Sequence, residues 1–293
     1  MTNSAVHVSL VVPIHHCEGT LDRLFGELDR FLSVAPVSCE LVLVDDRGSH
    51  PEASTELRRF ASSRSNVRLL SNDRNRGKGY SVARGMLEAA GTYRVFTDAD
   101  LAYPLDEVWK IVSRLEDGAD VAIACRVHPE SQYTMSARYL RYIYTRHVMS
   151  RVFNKMVRMT LVPGVLDTQA GLKGYTAAAA REVFSRVSIA GFGFDLECLF
   201  VARQMNLRIE QVPVHFRYND EPTTVRFVRD VYTMAMDLAR IRWRGWIGRY
   251  TTPRPADAQP FAVPSPVTLP PGTVVPGSAA LLHSPMEREA TVS

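Results

Sequence analysis

No apolar run in this 293-residue chain is long enough to cross a bilayer, and its N-terminus lacks the form of a secretory signal. A soluble or membrane-peripheral protein is expected. Cysteine is scarce, and Cys17, Cys39, Cys125 and Cys198 stand at neither paired nor metal-ligand spacing. That excludes a disulfide framework and a zinc site, and points to a reducing cytosol. The G-x-G-x-x-G of dinucleotide-binding folds is missing, and the glycine-rich segment around Gly77 lacks the Lys-Ser/Thr ending of a P-loop. Dehydrogenase and nucleotide triphosphatase readings lose support accordingly. Despite a net charge of +4, the basic residues gather on two expected helices without a nucleic-acid module, so no nucleic-acid partner is expected.

What the chain does have is Asp98-Ala99-Asp100 at the end of an apolar run, Tyr93 to Thr97, followed by Leu101-Ala102-Tyr103-Pro104. Two carboxylates one residue apart at the carboxyl tip of a strand suit a hard divalent cation, Mg²⁺ or Mn²⁺, holding a diphosphate. Sugar-nucleotide chemistry follows from that reading.

The order of elements supports it. Val8 to Ile14 and Glu40 to Asp45 are β-branched runs flanking an amphipathic segment, Thr20 to Val34, which makes a βαβ unit. A helix over Pro51 to Ser62, a strand from Val67, a polar loop from Asn72 to Gly79 and a helix from Tyr80 to Ala90 lead to the strand bearing the aspartates. Beyond it come a helix over Leu105 to Leu115, a strand over Asp120 to Ala124, a helix from Asp195 to Met205 and a last strand from Arg208 to Val214. The alternation predicts an α/β fold, a mostly parallel central sheet flanked by helices. Ligands bind such sheets beyond the carboxyl ends of the strands, where the polar clusters after Ile14, Val44, Leu70 and Thr97 would converge.

Two further segments are strongly basic. Met135 to Met159 carries Arg138, Arg141, Arg146, Arg151, Lys155 and Arg158 and no acid, and Val225 to Tyr250 has six arginines against two aspartates, with Trp243 and Trp246 interspersed. The first predicts a helix facing an anionic partner; the second suits either a helix on an anionic membrane surface or one docked on the domain. Residues 251 to 293 hold nine of the seventeen prolines and no periodicity, which predicts a disordered tail.

Taken together, the chain resembles the family 2 inverting glycosyltransferases of GT-A (Rossmann-like) fold. Within them it is most similar to the polyprenyl-phosphate branch of dolichyl-phosphate glucosyltransferase and dolichyl-phosphate mannose synthase. The resemblance covers about residues 7 to 250. Ordered blocks carry it: Val11-Val12-Pro13 with Glu18-Gly19-Thr20-Leu21; Leu43-Val44-Asp45-Asp46 with Gly48-Ser49; Asn75-Arg76-Gly77-Lys78-Gly79; Asp98-Ala99-Asp100; Asp167-Thr168-Gln169-Ala170-Gly171-Leu172-Lys173; and Phe194-Asp195-Leu196-Glu197. The chain departs from the family at His15-His16, where Tyr-Asn is usual, and at Ala102, where some mannose synthase relatives have a glutamine ligand.

The resemblance implies one glycosyltransferase domain over 1 to 250, with a nucleotide-binding half at about 7 to 125, an acceptor half at about 126 to 224 and a basic helix at about 225 to 250. Pro13, Glu18 and Asp46 would meet the base and ribose, Arg76 and Lys78 the diphosphate, and Asp98 and Asp100 the metal. In the second half, Asp195, Asp167 and Gln169 would serve catalysis, with Asp195 the first candidate for general base if the acceptor is a hydroxyl. A lipid phosphate acceptor needs no base, and Arg126, Arg138 and Arg141 would hold it. The expected reaction moves a hexose, glucose from UDP-glucose first and mannose from GDP-mannose second, onto a polyprenyl phosphate at the cytoplasmic membrane face. Rival readings keep the donor but use a soluble aglycone or amino sugar, keep only sugar-nucleotide binding without catalysis, or make sugar nucleotides from a nucleoside triphosphate.

Overall fold

The computed structural model describes residues 6–15, 19–47, 51–134, 161–191, 193–217 and 227–251, with the backbone alone for 227–232 and 234. Glu18, Arg138, Arg141, the basic helix expected over 135 to 159 and the tail from 252 onward lie outside the described residues.

Four strands, β1 (Val8–Ile14), β2 (Cys39–Asp45), β3 (Val67–Ser71) and β4 (Tyr93–Phe96), alternate with α1 (Leu21–Val34), α2 (Pro51–Ser62) and α3 (Lys78–Glu88). They are followed by α4 (Glu107–Glu116), β5 (Val121–Cys125), β6 (Gln132–Thr134), β7 (Lys173–Thr176), α5 (Ala177–Phe184), α6 (Phe194–Gln204), β8 (Ile209–Pro213), β9 (His215–Arg217) and α7 (Phe227–Trp246). The main sheet runs in the order β3-β2-β1-β4-β7-β5-β8, with β6 and β9 paired separately. Pairs β1/β2, β2/β3, β1/β4 and β5/β8 are parallel, as the sequence predicts.

Apolar runs without polar alternation belong in a sheet buried on both faces. Successive side chains of β1 and β2 accordingly divide between two cores. Leu10, Val12, Leu41 and Leu43 pack with α1, α2 and α4, whereas Val11, Val42 and Val44 pack with α3, α5 and α6. Because the strand order reverses direction beside β1, the loops after β1, β2 and β4 open onto one crevice.

The structure departs from the expected pattern in several places, adding α5 and the β6/β9 pair. β7 runs antiparallel between β4 and β5, closing the sheet where a parallel neighbour is predicted. Its sequence, Lys-Gly-Tyr-Thr, has little β-branched signature, and pairing on both sides supplies what propensity does not. Helix α3 begins at Lys78 rather than Tyr80, which places the lysine in the helix's first turn.

Helix α7 is tied to the domain by a buried carboxylate. Glu197 of α6, wholly buried, accepts hydrogen bonds from the Ser188 N–H (2.6 Å), the Ser188 hydroxyl (2.9 Å), the Ile189 N–H (2.7 Å) and the Tyr250 hydroxyl (2.8 Å), with Arg244 of α7 at 3.4 Å. Burial, and then the adjacent Glu197 charge, push the Tyr250 phenol up, so it stays a donor. Glu197→Ala strands these donors in the interior and should cost about 3 kcal/mol of stability. A lowered thermal midpoint with faster amide exchange along α7 is the expected result, and an unchanged midpoint would count against the network.

Candidate functional site at the carboxyl ends of the strands

The loop from Asn72 to Gly77 is shaped by one carboxylate. Asp46, just beyond β2 and buried, accepts from the Asn72 side-chain amide (2.7 Å), the Arg76 N–H (2.7 Å) and the Gly77 N–H (2.8 Å). Gly77 turns the chain at φ 88°, and a Cβ there would meet the Ala190 carbonyl at 2.7 Å, so no larger residue fits. The Gly79 N–H donates to the same carbonyl at 2.8 Å. Asp46 is thus engaged in building the loop, and the loop's N–H groups at Arg76, Gly77 and Gly79 are already satisfied. Arg76 forms a bidentate pair with Asp73 (2.8 Å each) and lies over the Tyr80 ring. Of the two cations expected on a diphosphate, Lys78 is the one aimed at the aspartates.

Lys78 Nζ sits 2.6 Å from Asp98 Oδ1. A cation at a helix N-terminus opposes the helix dipole, and α3 has no acid in its first turn to offset it. Burial also works against the ammonium, yet Asp98, Asp195 and Asp100 together outweigh burial and hold its pKa above the ordinary value. Gly171 lies against Asp98 so closely that a Cβ would fall 2.2 Å from Oδ2. The tip itself is strained: Leu101, buried, has φ 52°, a left-handed conformation costing a side-chain-bearing residue roughly 1–2 kcal/mol. The turn is closed by the Leu101 N–H on the Asp98 carbonyl (3.2 Å) and the Ala102 N–H on Asp100 Oδ1 (3.0 Å). Such a conformation persists only where the surrounding structure fixes it.

The second half of the site contains two ion pairs. Asp195 lies inside the first turn of α6, two residues past Gly193, which is the cap. Its Oδ1 instead meets the ammonium of Lys173, a fully buried side chain that also donates to the Ala170 carbonyl (2.6 Å). Arg126 grips Asp167 in a fork, Nε to Oδ2 at 2.7 Å and Nη2 to Oδ1 at 2.9 Å, reinforced by the Arg126 N–H at 3.0 Å. The Gln169 N–H donates to Asp167 Oδ1 at 3.3 Å. Burial pushes the Asp167 carboxyl up, but Arg126 more than offsets it and holds the group below its ordinary 3.8. Tyr103, buried against Phe216, lies within electrostatic reach of Arg126, Asp167 and Asp98 alike. Pro13 sits near the tip of β1, in register with Val44 of β2.

Most of the expected residues therefore gather at one place. Lys173, Tyr103 and Gly171 are site residues to which the sequence assigns no role. A lysine entering a strand was the available signal for the first.

Two carboxylates and a lysine suit a cation and a diphosphate. Among the described residues no cluster of three or more His, Cys, Asp or Glu could enclose a metal alone. A divalent ion on Asp98 and Asp100 would complete its shell with phosphate oxygens and water, as Mg²⁺ does in phosphate sites, so the donor set fits. An α/β sheet with this acidic tip and lysine loop has the groups that a nucleoside-diphosphate sugar would need.

Comparison with known proteins agrees. The profile described as "Glycosyl transferase family 2" matches residues 9–184, and the chain belongs to that family. It is 29% identical over 253 residues to dolichyl-phosphate beta-glucosyltransferase of Dictyostelium discoideum, covering 83% of this chain and 76% of the relative. To dolichol-phosphate mannosyltransferase of Pyrococcus furiosus it is 25% identical, covering 83% and 66%. The crystal structure of glucosyl-3-phosphoglycerate synthase from Mycobacterium tuberculosis in complex with Mn²⁺, UDP and glucosyl-3-phosphoglycerate has the same fold. It superposes with a TM-score of 0.53 at 18% identity, covering 85% of this chain and 81% of that one.

The Arg126–Asp167 pair carries a pH signature. Since the Asp167 pKa is depressed, its stabilisation is complete above the ordinary carboxylate value of 3.8 and is lost as pH falls through the folded value. Thermal midpoints of wild type and Asp167→Asn should differ by a constant amount from neutrality to about pH 5. The gap should narrow in stronger acid; a gap that widened there would refute the sign.

Proposed function

We propose that this chain transfers glucose from UDP-glucose, with inversion, to a polyprenyl phosphate, using Mg²⁺ or Mn²⁺ held by Asp98 and Asp100. As a family 2 hexosyltransferase it draws on a nucleoside-diphosphate sugar. The names of the relatives supply the class of acceptor, and UDP with Mn²⁺ in the solved neighbour supports the donor and the metal.

The observation that carries the acceptor reading is the pairing of Asp195 with buried Lys173. Asp195 Oδ1 already accepts from the Lys173 ammonium, so an acceptor alcohol would have to compete with that buried cation for the carboxylate. A phosphate oxygen is already an anion and needs no such help. It attacks the anomeric carbon from the face opposite the diphosphate; the bond to the diphosphate oxygen breaks, and that oxygen takes the electron pair. No proton moves.

In this scheme Lys78 faces the charge growing on the leaving diphosphate, and a bound divalent ion would neutralise the same charge. Arg126, oriented by Asp167, would hold the incoming phosphate, and Asp195 would position Lys78 and Lys173 rather than accept a proton. The half of the chain up to about residue 125 then serves the donor, and the half beyond it the acceptor.

Measuring UDP release from UDP-glucose, with and without a short polyprenyl phosphate, tests this directly. Release should require the lipid phosphate and a divalent cation, and Asp100→Ala should lower it on the order of 10²-fold or more. Release that lipid phosphate does not stimulate would move the acceptor to the soluble class. Turnover with GDP-mannose alone would overturn the donor.

A further inference from the structure

Helix α7 is apolar on two opposite sides. With about 100° between successive residues, Asp237, Ile241 and Gly245 fall on one side and are covered by the domain. Asp237 lies over Gly193, Ile241 is wholly buried, and Gly245 abuts the Phe200 ring. The other side carries Met236, Ala239, Trp243 and Trp246, and Ile247 continues it through its N–H on the Trp243 carbonyl (3.0 Å). These are exposed, Met236 by 49%, Trp243 by 59%, Trp246 by 83% and Ile247 by 48%. A helix with one face packed on its domain and a second apolar stripe left exposed presents that stripe to a further partner.

Charge says what covers the outer side. Exposed arginines flank the apolar stripe, Arg240 on one edge and Arg242 on the other, with exposed Arg249 just past the helix end. Asp237 is the one carboxylate between Thr233 and Thr251; it is buried and paired with Arg240 at 3.3 Å. A second copy of the chain seated face to face would bring these arginines against themselves. An anionic bilayer would instead receive the indoles in its interfacial zone and the guanidiniums among its headgroups.

We propose that Met236, Trp243, Trp246 and Ile247, bordered by Arg240, Arg242 and Arg249, form the face by which this protein docks on an anionic membrane. The inference deepens the polyprenyl-phosphate reading, on which its purpose rests, because a lipid-borne phosphate has to be met at the surface. Glu197 fixes the geometry of the encounter. It binds Arg244 and Tyr250 on the inner side, and through Ser188 and Ile189 it holds the segment whose Ala190 carbonyl receives the Gly79 N–H, next to Lys78. The docking face and the donor loop are therefore linked through one run of hydrogen bonds.

The test is cosedimentation of the full chain with vesicles of phosphatidylcholine alone and of phosphatidylcholine mixed with phosphatidylglycerol, neither containing a polyprenyl phosphate. Wild type should bind the anionic vesicles and bind them less as salt rises. The Trp243→Ser, Trp246→Ser double variant should bind at least about tenfold more weakly. Arg242→Glu with Arg249→Glu should lose the preference for anionic lipid. Melting curves and UDP release with a water-soluble short-chain prenyl phosphate should match wild type in both, which separates lost docking from lost folding or chemistry. Wild-type vesicle binding by the tryptophan variant would overturn the proposal. So would a concentration-dependent dimer that the same variant abolishes, since a second copy would then be the occupant. Vesicle binding without any use of prenyl phosphate would leave the docking face standing and remove the acceptor assignment instead.

Discussion

The site depends on a chain of alternating charges that crosses four separate pieces of the fold. Lys78 at the start of α3 meets Asp98 at the tip of β4; Asp195 in α6 stands within its field and pairs with Lys173 at the start of β7. Both lysines are placed where each would be unfavourable alone, one at a helix N-terminus and one with no solvent. Each is tolerable because the next is there. Gly171, pressed on Asp98, and Gly77, turned against Ala190, let the backbones come close enough for the chain to close.

That arrangement also limits the chemistry. A carboxylate beside the reaction centre is usually available as a base, but here Asp195 is engaged by a buried cation, and the second acid, Asp167, is gripped by Arg126. What remains is a site rich in oriented positive charge around an acidic tip. In the reaction proposed above, such a site would assist the separation of a diphosphate from a sugar and the approach of another anion, and would offer little to a neutral alcohol that must first lose a proton.

The sequence reveals the frame more fully than the wiring. Val8–Ile14 and Pro51–Ser62 match their expected bounds, because uniform β-branched runs and a strong amphipathic period leave few alternatives. The aspartate tip is legible for the same reason, an abrupt change from apolar to acidic at a strand end. β7 is not, since Lys173 and Gly174 disguise a strand made by its neighbours. Nor does spacing reveal that Asp195 would pair with a lysine 22 residues earlier, or that Asp46 would be consumed in building the glycine loop. Those partnerships are tertiary, and a linear pattern carries no trace of them. The basic composition of α7 was readable, whereas which of its faces turns outward had to come from the packing of Ile241 and Gly245.

The most direct measurement is to offer the enzyme a polyprenyl phosphate and the polyprenol of equal length together, with UDP-glucose, and to determine the linkage of the product by NMR. A base-free inverting site should give only a β-linked glucosyl phosphate and leave the alcohol untouched. Glucosylation of the alcohol at a comparable rate, or an α-linked product, would contradict the account.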